Sequence, residues 1–261
     1  MLLKQRVAVI TGGGTGIGLA IAQAYLREGA QVAIASRDRT HLQAASAAAR
    51  ALGQDLMTIP LDVTDSAAVR EAVESIEKRY ARIDILVNNA GLSGRTPISE
   101  QDDSRWLAIL AANLNGAYFC SKQALRFMKD GEHGRIINMS SVLGRFGVPG
   151  YSSYCTAKHG ILGFTKALAL EVAARGITVN AICPTWVDTP MARQGIAETA
   201  AVLGITPEEF RRQAIQAVPI GRMVTTSEVA DLAVYVASPS AAGITGQGLN
   251  ICGGATAGAG G

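Results

Sequence analysis

The chain is short of the residues that metal centres and disulfide scaffolds require. Its three histidines, His41, His133 and His159, are far apart and joined by no carboxylate cluster, so surface or packing roles are expected and no metal. Four cysteines, Cys120, Cys155, Cys183 and Cys252, are scattered singly without CxxC spacing, and an apolar, core-rich chain does not need bridges. The start, "MLLKQRVAVITGGG", lacks the apolar run of a signal peptide, and no later segment reaches membrane-spanning length. The net charge is only +3 with signs mixed throughout, which leaves no basic face for nucleic acid. These absences leave a cytoplasmic enzyme or binding protein of a reducing compartment, with small molecules rather than nucleic acid or membrane as partners.

What is abundant is apolar bulk and glycine. Of the 261 residues 48% are hydrophobic and 29 are glycine, enough for one substantial core. Short β-branched runs predict strands over 6–11, 31–36, 56–62, 84–90, 135–141, 177–184 and 248–252. Several are apolar almost continuously, as strands covered on both faces are. Helical patterns occupy 18–29, 41–53, 65–80 and 151–175, with Gly29 and Gly53 placed to close two of them. This alternation predicts an α/β fold: a single-domain, doubly wound Rossmann-type parallel sheet over 1–261, with helices on both faces. Residues 185–225 break the rhythm and read as an insertion of short helices and loop, either a substrate-binding lid or a surface excursion. The tail 253–261, "GGATAGAGG", is too glycine-rich to hold one conformation alone and is expected to be flexible.

"VAVITGGGTGIGLAIA" runs from strand into helix with glycines at 12, 13, 14, 16 and 18. It lacks the G-x-G-x-x-G fingerprint, but G-x-x-x-G-x-G through Gly12, Gly16 and Gly18 keeps the physical logic. Glycines permit a tight turn and close backbone approach, and the helix N-terminus offers free N–H groups to an anion such as a dinucleotide phosphate. Ribose recognition belongs at the end of the second strand. There the chain reads "AIASRDR", with Ser36 and Arg37 where an NAD enzyme usually carries an acid. Serine plus arginine accepts a 2′-phosphate that a carboxylate would repel, so NADP(H) is preferred and NAD(H) remains possible. Arg37 and Arg39 as solvated charges, and Asp38 as the ribose acid after a register shift, stay open.

In "YSSYCTAKHG" (151–160), Tyr154 and Lys158 form an i,i+4 pair on one helix face, whereas Tyr151 has Cys155 at that offset. A phenol titrating near ~10 needs roughly 4 kcal/mol of preferential phenolate stabilisation to titrate near neutrality. An ammonium in a partly dehydrated cleft, helped by a positively charged nicotinamide, supplies much of that. Ser141, at the end of the fifth strand, is placed to donate to a substrate carbonyl.

With "TGGGTGIG", "LDVTD", "NNAG", "NLNGAYF", "SS" before "YCTAK", "ITVNAICP" and "ITGQGLNICGG" in this order, the chain resembles the short-chain dehydrogenase/reductase superfamily over nearly its whole length. The resemblance implies a catalytic tetrad of Asn113, Ser141, Tyr154 and Lys158, with Asn113 holding a water beside the lysine. It implies cofactor contacts from Gly12, Gly14, Thr15, Gly16, Ile17 and Gly18, from Ser36 and Arg37, and from Asp62 and Val63 beside the adenine. Asn89, Ala90 and Gly91 would line the cofactor, while Pro184, Val187 and Thr189 would meet the nicotinamide. Ser93, Leu143, Phe146, Trp186 and Met191 are candidates for the substrate pocket, with burial in the core the alternative for Trp186.

The last third is similar to ketoreductases of 3-oxoacyl or polyketide chains. That implies NADPH-dependent reduction of a ketone to a secondary alcohol, with Tyr154 as proton donor. An NAD-dependent dehydrogenase of a sugar acid, steroid or hydroxyacid, and a non-catalytic NADP-sensing regulator, are the alternatives. The resemblance also implies a homotetramer, with the apolar 161–172 stretch facing a partner. Three positions depart from the pattern: Thr15 stands where many NADP-preferring members carry a base, Thr185 replaces the usual glycine after Pro184, and Glu132 replaces an arginine that, with Arg175, docks an acidic acyl carrier. An acid there argues against the carrier.

Overall fold

In the computed structural model, which describes residues 1–258, seven strands form one sheet in the order β3-β2-β1-β4-β5-β6-β7. The strands are β1 (Val7–Thr11), β2 (Gln31–Ser36), β3 (Leu56–Pro60), β4 (Ile85–Asn88), β5 (Gly134–Met139), β6 (Ile177–Pro184) and β7 (Gly248–Ile251). Every neighbouring pair is parallel. The helices are α1 (Gly16–Arg27), α2 (Arg39–Ala51), α3 (Ser66–Tyr80), α4 (Ser104–Leu110), α5 (Gly116–Ala124), α6 (Ser152–Val172), α7 (Pro190–Leu203), α8 (Pro207–Gln216) and α9 (Thr226–Ala237).

Alternation along the buried strands assigns the two faces. Ala8, Ile10, Val32 and Ile34 join Tyr25 of α1, Leu42 of α2 and Val229 of α9 in one core cluster. Val7, Val9, Ala33 and Ala35 point the other way, to Val73 of α3, Cys120 of α5 and Leu168 of α6. Where β4 meets β5, buried amides take the place of apolar packing. Asn88 Nδ2 donates to Ser121 (2.9 Å) and Asn138 (2.8 Å), and Asn138 Nδ2 donates to Thr165 (2.9 Å). Those bonds tie sheet to α5 and α6 beside the cleft, at a net worth of about 1 kcal/mol each.

Helix ends follow local chemistry. Asp38 and Asp65 cap α2 and α3 by accepting from the following backbone N–H groups, and Gly29 and Gly53 take φ +83° and +70° just beyond α1 and α2. Several strands are shorter than expected: β3 stops at Pro60, β4 at Asn88 and β5 at Met139, so Ser141 lies beyond its strand in a short 3-10 turn.

The insertion 185–225 is more ordered than a loop. It folds into α7 and α8, each opened by a threonine cap and a proline in the first turn. The stretch expected to be a flexible tail begins with hydrogen-bonded turns. Gly253 and Gly254 take φ +56° and +88°, Ile220 N–H donates to Gly253 O (3.1 Å), and Thr256 Oγ1 accepts from Asn250 (3.0 Å). Here glycine supplies the left-handed backbone for closely packed turns; residues 259–261 lie outside the described residues. All four cysteines are buried and unbridged. No described helix is long and apolar enough to cross a membrane.

Candidate active site

The order of the sheet reverses at β1, whose neighbours are β2 and β4, and a cleft of about 1460 Å³ opens beyond the carboxyl ends of the central strands. That is where parallel α/β sheets bind ligands. Every site residue named from the sequence lines this one cleft except Gly14 and Gly18. Gly14 instead faces His41, and Gly18 packs against the Gly12 carbonyl, where a side chain would collide with backbone.

One end of the cleft is built for an anion. Gly12 takes φ +64°, and a Cβ there would lie 2.9 Å from the Ala90 Cα. Gly16 takes φ +54° against Thr189. Thr15 caps α1 in position only, without a side-chain hydrogen bond, so the first N–H groups of the helix keep their donors for a ligand. Asn89 Nδ2 donates to the Thr11 and Gly12 carbonyls, both at 3.1 Å, and holds the turn from behind. A cradle this close, with a free helix terminus, fits the pyrophosphate of a dinucleotide.

At the neighbouring ribose position, β2 ends at Ser36 and Arg37 follows with its guanidinium 3.9 Å from the Asp62 carboxylate. The Asp62 carboxyl is held below the usual range chiefly by the Thr64 backbone N–H. Asp38 is committed to the α2 cap, where it accepts from Thr40 (2.8 Å) and His41 (3.2 Å). The same residue lines the cleft beside Ser36 and Arg37, where the register-shift reading has it meet the ribose.

At the other end, α6 presents Tyr154 and Lys158 on one face, with the ammonium 5.3 Å from the ring centre. Lys158 Nζ donates to the Met139 carbonyl (2.8 Å) and Ser140 Oγ donates to the Lys158 carbonyl (2.9 Å), which fixes helix to strand. Burial pushes the Lys158 ammonium down to about 8. The Tyr154 phenol is pushed up to about 12, again by burial, with a hydrogen bond from Ser141 acting in the opposite sense. Among the protein groups burial thus outweighs the hydrogen bond from Ser141, whereas the acidification expected from the lysine was drawn with a positively charged nicotinamide beside it. Ser141 Oγ accepts from the Leu143 N–H (3.1 Å) and faces the Pro184 carbonyl (3.4 Å), an orientation set by its cap position in the 3-10 turn.

Asn113 sits in a π-helical turn, Ala111–Asn115, between α4 and α5. Such turns are rare and concentrate at functional sites. Its amide donates to the Leu92 (2.7 Å) and Ile109 (2.8 Å) carbonyls, and its Oδ1 is buried without a partner.

Of the pocket candidates, Trp186 stacks edge-on with Phe210 of α8 at 6.2 Å, and both line the cleft. Val187 bridges to Val224 and is buried. Sequence reasoning missed Arg95, Tyr151, Thr199 and Phe210. Tyr151 OH bonds Thr199 Oγ1 (2.8 Å) and so ties α6 to α7, while the Arg95 guanidinium lies 5.7 Å from the centre of the Tyr151 ring. Only Tyr151 had a local signal, its place beside Tyr154; the others arrive through folding of the insertion and the β4–α4 loop. No group of histidine, cysteine or carboxylate side chains among the described residues could hold a metal.

A family model described as enoyl-(acyl carrier protein) reductase matches residues 12–256. The 3-oxoacyl-(acyl-carrier-protein) reductase of Escherichia coli is 37% identical over 254 residues, covering 97% of this chain and 98% of the relative. Among solved structures, an actinorhodin polyketide ketoreductase variant with NADPH superimposes with a TM-score of 0.91 at 38% identity, over 96% of this chain and 97% of the other. An NAD+-bound xylitol dehydrogenase superimposes with a TM-score of 0.92 at 30% identity, over 97% of this chain and 100% of the other.

Proposed function

Because the chain belongs to the short-chain dehydrogenase/reductase family, whose oxidoreductases use nicotinamide dinucleotides, we propose that it reduces a ketone of 3-oxoacyl or polyketide and cyclic type to a secondary alcohol with NADPH. One observation carries the reading: Ser141, Tyr154 and Lys158 converge at one end of the cleft whose other end is the glycine cradle. Gly12, Gly16 and the start of α1 would hold the pyrophosphate, and Ser36 with Arg37 the 2′-phosphate. When bound, the dinucleotide supplies the hydride for the carbonyl carbon. The protein supplies the rest. Ser141 Oγ donates to the carbonyl oxygen, and the Tyr154 phenol gives that oxygen its proton as negative charge develops there.

A phenol raised to about 12 is protonated at neutral pH, as the proton donor of a reduction must be. The Lys158 ammonium, close to the ring, offsets the phenolate left behind, and Asn113, whose Oδ1 is buried without a protein partner, would hold the water of a proton path from the lysine. Helices α7 and α8 act as the substrate lid, with Trp186 and Phe210 shaping its inner wall. The NADP preference is supported by Ser36 and Arg37 and by the NADPH-bearing neighbour.

Docking of an acyl carrier is disfavoured. Arg175 is occupied by Asp130 and by the Leu125 and Met128 carbonyls, and Glu132 pairs with Arg82. The reading is tested by steady-state rates with NADPH and NADH on 3-oxoacyl thioesters, diketones and sugar acids. NADPH-linked reduction of a ketone supports it; cofactor binding without turnover across the panel rejects it.

A further inference from the structure

The substrate end of the cleft holds a cation that neither the proposed mechanism nor a nearby carboxylate uses. Arg95 lines the cleft, in the loop after β4, and makes no ion pair among the described residues. Glu198 of α7, which lies near the Arg95 backbone, is taken by other donors: it accepts from Arg105 (2.7 and 2.8 Å) and from Gln194 (2.9 Å).

The guanidinium is nonetheless held in place. It lies over the Tyr151 ring, 5.7 Å from its centre, and in space left by Gly150, whose Cβ would come within 2.5 Å of Nη2. The acids lining the cleft are Asp38 and Asp62, both beyond β2 and β3 at the ribose end. At the substrate end the cations are Arg95 and Lys158, and the lysine is turned to the Met139 carbonyl. A half-buried, unpaired guanidinium with its planar fork free is suited to bidentate recognition of an oxyanion.

We propose that Arg95 binds an oxyanion carried by the ketone substrate, with the carbonyl at Tyr154 and the apolar remainder against Trp186 and Phe210. This rests on the reductase reading and sharpens its substrate class. The oxyanion is either the carboxylate of a free oxo acid or the phosphate of a pantetheine thioester.

The test compares two matched pairs with the NADPH-loaded enzyme: acetoacetate against its methyl ester, and acetoacetyl-phosphopantetheine against acetoacetyl-pantetheine. Expected is a higher kcat/KM for the charged member of one pair, and the pair that shows it identifies the oxyanion. In Arg95→Gln that preference should fall at least about tenfold, through KM, and Arg95→Lys should recover part of it. An equal loss on charged and neutral members would mean that Arg95 only props Tyr151, and would overturn the proposal, as would a preference that survives in Arg95→Gln. If no ketone of either pair is reduced, the reductase reading is decided by the wider ketone panel and the Arg95 proposal by binding. The oxyanion site is then read from the Tm rise given by acetoacetate over its ester: loss of that excess in Arg95→Gln supports the site, and equal shifts overturn it.

Discussion

The Lys158 ammonium lies 5.3 Å from the centre of the Tyr154 ring while its proton goes to the Met139 carbonyl, 2.8 Å away. The lysine is thus anchored by the end of β5 and acts on the phenol through space. Removing the phenolic hydroxyl should leave this anchor, and the glycine cradle, intact. Tyr154→Phe is expected to lower kcat by about 10²–10⁴-fold while NADPH affinity, measured by fluorescence titration, stays within about twofold of the parent. Retained turnover would remove Tyr154 as the acid.

The two shifted groups give the pH profile its sign. Reduction needs a protonated phenol, a condition met throughout the neutral range when the group titrates near 12. It also needs the ammonium, which deprotonates near 8. The kcat/KM for reduction should therefore be level in acid and fall as pH rises past about 8, whereas oxidation of the alcohol, which needs the phenolate, should rise with pH. In Lys158→Arg the fall near 8 should vanish, since a guanidinium does not titrate there. A profile unchanged in that variant would assign the fall to another group.

The apolar 161–172 stretch, read from sequence as facing a partner, leaves Leu170 84% exposed on α6, and Leu107 of α4 and Tyr118 of α5 are exposed as well. Exposed apolar side chains on adjoining helices mark interaction surfaces. The protein is expected to be a tetramer by light scattering, and Leu170→Glu should split it without unfolding the subunit, read by circular dichroism. A monomeric parent would exclude that arrangement.

The glycine turn carries a prediction of its own. Because a methyl at residue 18 would run into the Gly12 carbonyl, Gly18→Ala must push α1 away from β1. It should weaken dinucleotide binding by at least about tenfold and cost about 1–3 kcal/mol of stability, measured by urea unfolding. Unaltered affinity would show that the cradle is not where the cofactor rests.

How far the sequence could be read follows from how local each signal is. Strand β2 is legible to the residue because Gln31–Ser36 is a short β-branched run that follows Gly29, placed to close the helix before it. Tyr154 and Lys158 were paired by helical periodicity alone. Asn113 was found through family resemblance, but its π turn was not, since a single inserted helical residue leaves no mark on composition. The rise at Tyr154 leaves no mark in the sequence, because it comes from burial in the folded chain. Arg95 leaves no mark for the same reason: Arg105, ten residues on, pairs with Glu198 of the insertion, and only the fold decides which arginine does so.

Cofactor choice turns on Arg37 and its present partner. The guanidinium is 3.9 Å from Asp62, both side chains are exposed, and such a pair is worth less than about 1 kcal/mol. A 2′-phosphate, with more charge and a matching fork geometry, should draw Arg37 away from the carboxylate at little cost. Ser36→Asp places an acid at the end of β2 that repels the phosphate and accepts from a free 2′-hydroxyl. Combined with Arg37→Ala, it should move the NADPH-to-NADH ratio of kcat/KM toward NADH by at least about 100-fold, or roughly 2.7 kcal/mol. Arg37→Ala alone should raise KM for NADPH and hardly change KM for NADH. If the parent already favours NADH, Arg37 serves Asp62 rather than a phosphate, and the oxidative reading of the cleft takes precedence.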